Sequence, residues 1–258
     1  MDVRSWGHAL VGLVLPLQCA GCGLDDVGWC AGCRRPFEAG PRRCEQRAGR
    51  LDLLDGRAPL PVWALADCVG SARETVVAWK DRGRYDLTPL LAGVARVAAA
   101  RGGDAWLPAG APVLVVPAPS TAAARRRRGG NLVDALARAV ADGLSAGGRP
   151  ARPAPVLTRR GVDQAGLGAR ARGTNLAGRV RVRGDGRDLR GRDVLVVDDV
   201  LTTGATIAAC RVALEASGAR VVGAFTLAST PPPGAAARPA DPQVPTRSED
   251  WWSGPVRG

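Results

Sequence analysis

The stretch VLVVDDVLTTGAT, residues 194–206, sets the frame for the rest of the chain. Four apolar residues run into two adjacent carboxylates, and a short threonine- and glycine-containing loop follows. The apolar run has the length and β-branched content of a buried strand. Residues 205–216 then carry helical periodicity. In an open α/β sheet, ligands bind beyond the carboxyl ends of the strands. A loop there, feeding a helix N-terminus, turns backbone N–H groups toward an anion. Gly204 permits close approach of the backbone. Thr202, Thr203 and Thr206 offer hydroxyls, and Ala205 completes the loop. There is no Walker lysine and no GxGxxG spacing. Two carboxylates would repel a bare phosphate, but they accept hydrogen bonds from a diol lying beside one. Asp198 and Asp199 are therefore candidates for holding a sugar. The competing reading is a buried strand whose Asp199 only caps the following helix.

Outward from this stretch, strands and helices alternate. VWALADCV and VLVVPAPS read as strands, the second ending in a rigid proline turn at 117–120. RETVVAWKD, LTPLLAGVARVAAA and NLVDALARAVADGL read as helices. Residues 145–153 read as a Gly/Pro-rich loop and APVLTRR as a second core strand, followed by DVLVVDDV and ARVVGAFTLAS. The alternation predicts an α/β fold with a doubly wound parallel sheet. The organisation expected is an N-terminal helix and cysteine module over 1–50 and a linker over 51–61. The main domain follows over 62–230, and a disordered proline-rich tail over 231–258.

The chain has 258 residues, a net charge of +12 and a pI near 10.9. An anionic partner fits that charge. So does a compositional bias: Lys80 is the only lysine, and every other basic side chain is arginine. Bulk charge therefore carries little weight. The local run Arg125–Arg128 carries more, since guanidinium binds phosphate bidentately. No stretch approaches the ~20 apolar residues of a membrane span. The apolar run 8–19 is short and interrupted by Pro16, unlike a signal peptide. The expected location is cytoplasmic. His8, the single histidine, is a poor candidate for catalysis.

Four of the seven cysteines form two pairs, Cys19-x2-Cys22 and Cys30-x2-Cys33. In a reducing compartment this spacing reads as a tetrahedral, structural Zn²⁺ site before it reads as disulfides. Cys44 could replace one ligand in another arrangement. Cys68 and Cys210 fall in strand and helix patterns and read as buried thiols.

VLVVDDVLTTGAT resembles the full signature of the type I phosphoribosyltransferases, which bind phosphoribosyl pyrophosphate (PRPP). The order of motifs is similar to that of the ComF/GntX-type proteins, competence-associated members with an N-terminal zinc module. These motifs are the cysteine pairs, WKDRGRYDLTPLLA (79–92), VVPAPS (115–120), RRGGN (127–131) and QAGLGARARGTN (164–175). Asp81 stands where that family usually has an aromatic residue, and Gly130 where it usually has Phe. The resemblance implies that Asp198 and Asp199 hold the ribose hydroxyls, directly or through Mg²⁺. It implies that residues 202–206 wrap the 5′-phosphate, and that Pro117, Ala118 and Arg128 hold the pyrophosphate. It places Lys80, Arg172 and Asn175 among the catalytic residues, the last two on a glycine-rich loop over 161–178 that would close on PRPP. An acidic residue that contacts the base in purine-salvage relatives is replaced here by Thr202, so no general base or acceptor is evident. Three functions stay open. One is a Mg²⁺-dependent phosphoribosyltransferase. Another is a PRPP- or nucleotide-binding accessory protein of DNA uptake, working with competence proteins. The third is a single-stranded DNA binder, which the 4% aromatic content and the absence of aromatics among the arginines disfavour.

Overall fold

The structure is a computed structural model that describes residues 17–52, 59–108, 111–121, 124–126, 131–159 and 180–232. Several expectations fall outside the described residues. They are the N-terminal helix with His8, Arg127 and Arg128, the 161–178 loop with Arg172 and Asn175, and the tail from 233 with Trp251 and Trp252.

The elements, in order, begin with α1 (Ala31–Glu38), β1 (Arg42–Arg43), β2 (Val62–Asp67), α2 (Gly70–Asp81) and α3 (Thr88–Trp106). Then come β3 (Val113–Pro117), α4 (Leu132–Ala146), β4 (Ala151–Pro153), β5 (Leu157–Arg159) and β6 (Val180–Val182). The order closes with β7 (Asp193–Leu201), α5 (Ala205–Glu215) and β8 (Arg220–Ser229). Six strands form one sheet in the order β1-β2-β8-β7-β3-β4. All neighbours are parallel except β1, which runs antiparallel to β2. The α/β parallel architecture expected from the alternation is thus present.

β7 runs along the middle of the sheet, and its residues divide between two cores. Leu195 and Val197 pack with α3 and α4 residues such as Leu91 and Leu136 on one face. Val194 and Val196 pack with Ile207 and Leu214 of α5 on the other. A strand covered on both sides reads as an unbroken apolar run, which is why its sequence is so legible. Each fully buried Leu or Val here contributes about 1.5–3 kcal/mol relative to exposure.

Two sequence expectations are corrected. APVLTRR is not a core strand: β5 pairs antiparallel with β6 in a separate two-stranded ribbon. The core strand beside β3 is β4, inside the segment read as a loop. β4 is a three-residue edge strand with half-buried or exposed side chains, so it carries no apolar run to detect. Its last residue is Pro153, which an edge tolerates because no ladder N–H is required there.

The expected linker also behaves differently at both of its ends. Leu51 and Leu60 are buried, and Pro61 O accepts the Ala224 N–H of β8 at 2.9 Å. Among the described residues, no helix is long and apolar enough to cross a membrane.

Candidate active site and metal centre

The acidic pair sits at the carboxyl end of β7, where the parallel sheet opens. Successive strand residues face opposite sides, and the two carboxylates divide accordingly. Asp198 is buried and its Oδ1 accepts the Asp199 N–H at 2.9 Å. Desolvation and the neighbouring Asp199 charge raise its pKa to about 7. Asp199 Oδ1 accepts the Val200 N–H at 2.7 Å, and its Oδ2 lies 2.6 Å from Lys80 Nζ. Lys80 comes from the last turn of α2. Burial opposes its charge, but the Asp199 carboxylate outweighs this and raises its pKa. The structure thus brings together Lys80 and Asp199, which are far apart along the chain.

The loop after β7 reaches α5 through Gly204, whose φ is +80°. A side chain is strained in that region, and space forbids one as well. A Cβ on Gly204 would lie 2.7 Å from Leu51 Cγ and 3.0 Å from Ala48 Cβ. Thr202 and Thr203 are exposed, Ala205 and Thr206 half-buried. Thr203 Oγ1 accepts the Ala205 N–H at 3.4 Å. An exposed, hydroxyl-bearing loop at a helix N-terminus suits an anionic group.

The turn after β3 starts one strand away, since Pro117 pairs with Val197. The Ala118 N–H donates to Val197 O at 2.7 Å. Asn131, at the start of α4, accepts from Ser120 Oγ at 2.7 Å and donates to Asp134 Oδ1 at 2.8 Å. Those bonds tie the proline turn to the helix that follows it.

Sequence reasoning missed a second polar layer at the same edge. Arg47 Nη1 bonds the Asp67 carboxylate and donates to Ser229 Oγ at 2.9 Å. Asp67 ends β2 and Ser229 ends β8, and the register pairs both at the level of Leu201. The Arg50 N–H donates to Thr203 O at 3.1 Å. Segment 44–51 is thereby fastened to the loop itself. No local signal could have found these contacts, because Arg47 and Ser229 are 182 residues apart.

Cys19, Cys22, Cys30 and Cys33 converge: their sulfurs all lie within 4.8 Å of one another. Cys22 and Cys30 sulfurs are 3.7 Å apart. Four thiolates about 2.3 Å from a tetrahedral ion sit about 3.8 Å from each other, so the cluster fits a metal such as zinc. Desolvation opposes ionisation of Cys19, yet the backbone N–H groups of Cys30, Gly21 and Cys22 hold its pKa down to about 6. Burial and the adjacent sulfurs push Cys33 up instead. Cys44 lies apart: it is buried in the other core, and its Sγ donates to Val62 O at 3.4 Å. Cys210 is a buried residue of α5, whereas Cys68 is only half-buried.

The cluster docks directly on α2. A Cβ on Gly21 would stand 2.9 Å from Thr75 Oγ1, and Trp29 Nε1 donates to that hydroxyl at 3.2 Å. Arg84, just past α2, donates to Gln18 O at 2.7 Å and to Gly28 O at 3.2 Å. The helix that delivers Lys80 is therefore braced by the cysteine module.

Comparison with known proteins gives a family for the chain. Residues 97–253 match the Phosphoribosyl transferase domain family. The chain is 31% identical over 175 residues to an adenine phosphoribosyltransferase of Mycobacterium marinum, covering 67% of this chain and 84% of that one. It is 48% identical over 48 residues to an adenine phosphoribosyltransferase of Mycolicibacterium gilvum, covering 19% and 27%. A hypoxanthine phosphoribosyltransferase structure from Staphylococcus aureus superposes with a TM-score of 0.34 at 17% identity, covering 56% of this chain and 65% of that one, just under two thirds of its length.

Proposed function

Because the chain belongs to the phosphoribosyl transferase domain family, we propose that it is a ComF-like, PRPP-dependent transferase carrying a structural Zn²⁺ module. The observation that carries this reading is the pairing of two carboxylates with an exposed, glycine-containing loop at one strand end. That combination recognises a sugar diol and its adjacent phosphate together. The four-cysteine cluster ahead of the domain supports the ComF-like placement.

In this reading the 5′-phosphate of PRPP rests on residues 202–206, whose backbone N–H groups and hydroxyls donate to it. Asp198 and Asp199 take the ribose hydroxyls. The turn at Pro117 and Ala118, with Arg128, receives the pyrophosphate. An acceptor nucleophile attacks C1 as the C1–O bond to pyrophosphate breaks; the pair of that C–O bond leaves with the pyrophosphate, which also takes up the proton that the acceptor releases. Positive charge develops on the ribose ring, and preorganised groups around it are worth most when water is excluded. Arg172 and Asn175 close over the bound PRPP in that role, and Lys80 brings a positive charge to the same strand end. Asp198 and Asp199 are the protein groups that would hold Mg²⁺, which when bound would neutralise charge on the leaving diphosphate. Cys19, Cys22, Cys30 and Cys33 would hold Zn²⁺ through four thiolates, a donor set that suits a structural rather than a catalytic ion.

The test is calorimetric titration with PRPP, with and without Mg²⁺, followed by pyrophosphate release with pooled acceptors. Adenine goes first because the curated relatives bear that name. Mg²⁺-dependent PRPP binding that is lost in Asp198→Asn/Asp199→Asn supports the reading. Each lost charge-assisted bond should cost about 1.5–3 kcal/mol. Equal affinity in the double variant rejects the diol assignment. Arg172→Ala should slow turnover more than it weakens PRPP binding, and an equal loss of both rejects the closing role.

A further inference from the structure

We propose that Lys80 is an exchange latch: its ammonium occupies the position on Asp199 that a divalent cation would take, so the acidic pair accepts Mg²⁺ only together with a diphosphate. The inference rests on Asp198 and Asp199 being the PRPP site.

The first support is geometric. Lys80 Nζ stands 2.6 Å from Asp199 Oδ2, while Oδ1 is already engaged by the Val200 N–H. Both oxygens of Asp199 are therefore engaged by groups of the protein itself. On the other carboxylate, Oδ1 of Asp198 accepts the Asp199 N–H.

The second support is charge. Asp199 and Lys80 neutralise each other, and Asp198, whose pKa burial and the Asp199 charge raise to about 7, leaves at most a single net negative charge at the strand end. A divalent ion arriving alone would turn that into a net positive charge in a half-buried site, with Lys80 still beside it. Two carboxylates also offer too few oxygens for an octahedral ion, which ordinarily completes its shell with substrate phosphates and water. A diphosphate removes both obstacles at once. It brings the missing oxygens, and its charge gives the displaced ammonium somewhere to go.

The third support is the choice of side chain. Thirty-six positions carry Lys or Arg, and Lys80 is the only lysine among them. A guanidinium would clasp a carboxylate through a planar fork, whereas an ammonium is a compact charge on a flexible stem that meets one oxygen and lets go. The Lys80 side chain is 34% exposed, so it has solvent-side room to move. α2 stays fixed while the stem swings, because the helix is held through Thr75, Trp29 and Arg84.

The experiment uses Mn²⁺ as the probe, read by electron paramagnetic resonance on the full chain. Lys80→Met keeps the apolar stem and removes the charge, and Lys80→Gln removes the charge with a polar replacement. Both should bind Mn²⁺ alone at least about tenfold more tightly than wild type, as expected when a like charge leaves a half-buried site. Lys80→Arg, which keeps the charge, should stay near wild type. The gain should vanish in Lys80→Met/Asp199→Asn, which assigns the ion to the acidic pair. With inorganic pyrophosphate present the order should invert, wild type holding Mn²⁺ more tightly than Lys80→Met. Unchanged or weaker Mn²⁺ binding in both neutral variants, or no inversion with pyrophosphate, overturns the latch. A tighter Mn²⁺ site in Lys80→Met alongside no PRPP binding by wild type would keep the latch and reject the phosphoribosyl reading.

Discussion

Leu51 packs against Gly204 so closely that a Cβ on the glycine would lie 2.7 Å from Leu51 Cγ. Leu51 is buried, and the preceding residue, Arg50, donates its N–H to Thr203 O. The loop proposed to hold a phosphate is therefore shaped from behind by a segment that lies between the cysteine cluster and the first core strand.

Gly204→Ala should lower stability and weaken phosphate binding together, because left-handed backbone strain of about 1–2 kcal/mol adds to the steric clash. Leu51→Ala should cost about 2–5 kcal/mol by emptying a core position. The double variant should lose less than the sum, since a shorter side chain at 51 relieves the clash and leaves only the strain. Urea denaturation of all four proteins checks this, and additive losses would show that the two positions do not meet.

Arg47→Met should destabilise the chain by about 3–5 kcal/mol by leaving the buried Asp67 carboxylate without its main partner. Arg42 lies 3.9 Å from that carboxylate and compensates weakly. Adding Asp67→Asn should recover much of the loss. A double variant no more stable than Arg47→Met would mean that packing of the arginine stem, not its charge, is what matters.

Acid should loosen the same segment. Glu45 loses solvation, but Arg43 and the Val62 N–H hold its pKa below the ordinary 4.5. Arg43 Nε meets Glu45 Oε1 at 2.8 Å, and the Val62 N–H meets Oε2 at 3.3 Å. A lowered folded pKa contributes stability that is fully present above 4.5 and lost as pH falls through the lowered value. Glu45→Gln should melt below wild type at pH ~7, and the gap should close as the pH falls below 4.5 and through the lowered folded value. Parallel melting curves across that range would remove the ion pair from the account.

One metal ion should bind per chain at the cysteine cluster. Cys30→Ser/Cys33→Ser should abolish it, and chelation should lower the melting temperature. Because Gly21 and Trp29 rest on Thr75 of α2, amide exchange in α2 should rise when the metal is removed. Metal analysis with hydrogen exchange tests both, and full occupancy in the double serine variant would exclude these ligands.

Much of the site was legible in order along the chain. VLVVDDVLTTGAT specifies its own strand, loop and helix, because a strand buried on both faces needs a continuous apolar run and the loop needs a residue tolerant of positive φ. The cysteine pairs are equally local: each C-x2-C turn presents two thiols before any long-range contact forms. Strand β4 was not legible, because an edge strand of half-exposed residues leaves no periodic trace. The same holds for APVLTRR, whose apolar residues suit an antiparallel ribbon as well as a core strand.

Hydrophobic period, turn chemistry and ligand spacing act over a few residues, so the elements around the acidic pair and the thiols are written locally in the chain. The meeting of Lys80 with Asp199, the joining of Asp67 to Ser229 by Arg47, and the backing of Gly204 by Leu51 are not. Those contacts follow from the strand order β2-β8-β7, which brings distant segments to one sheet edge. A charge shows its sign in the sequence, but its partner is set by which strands lie side by side.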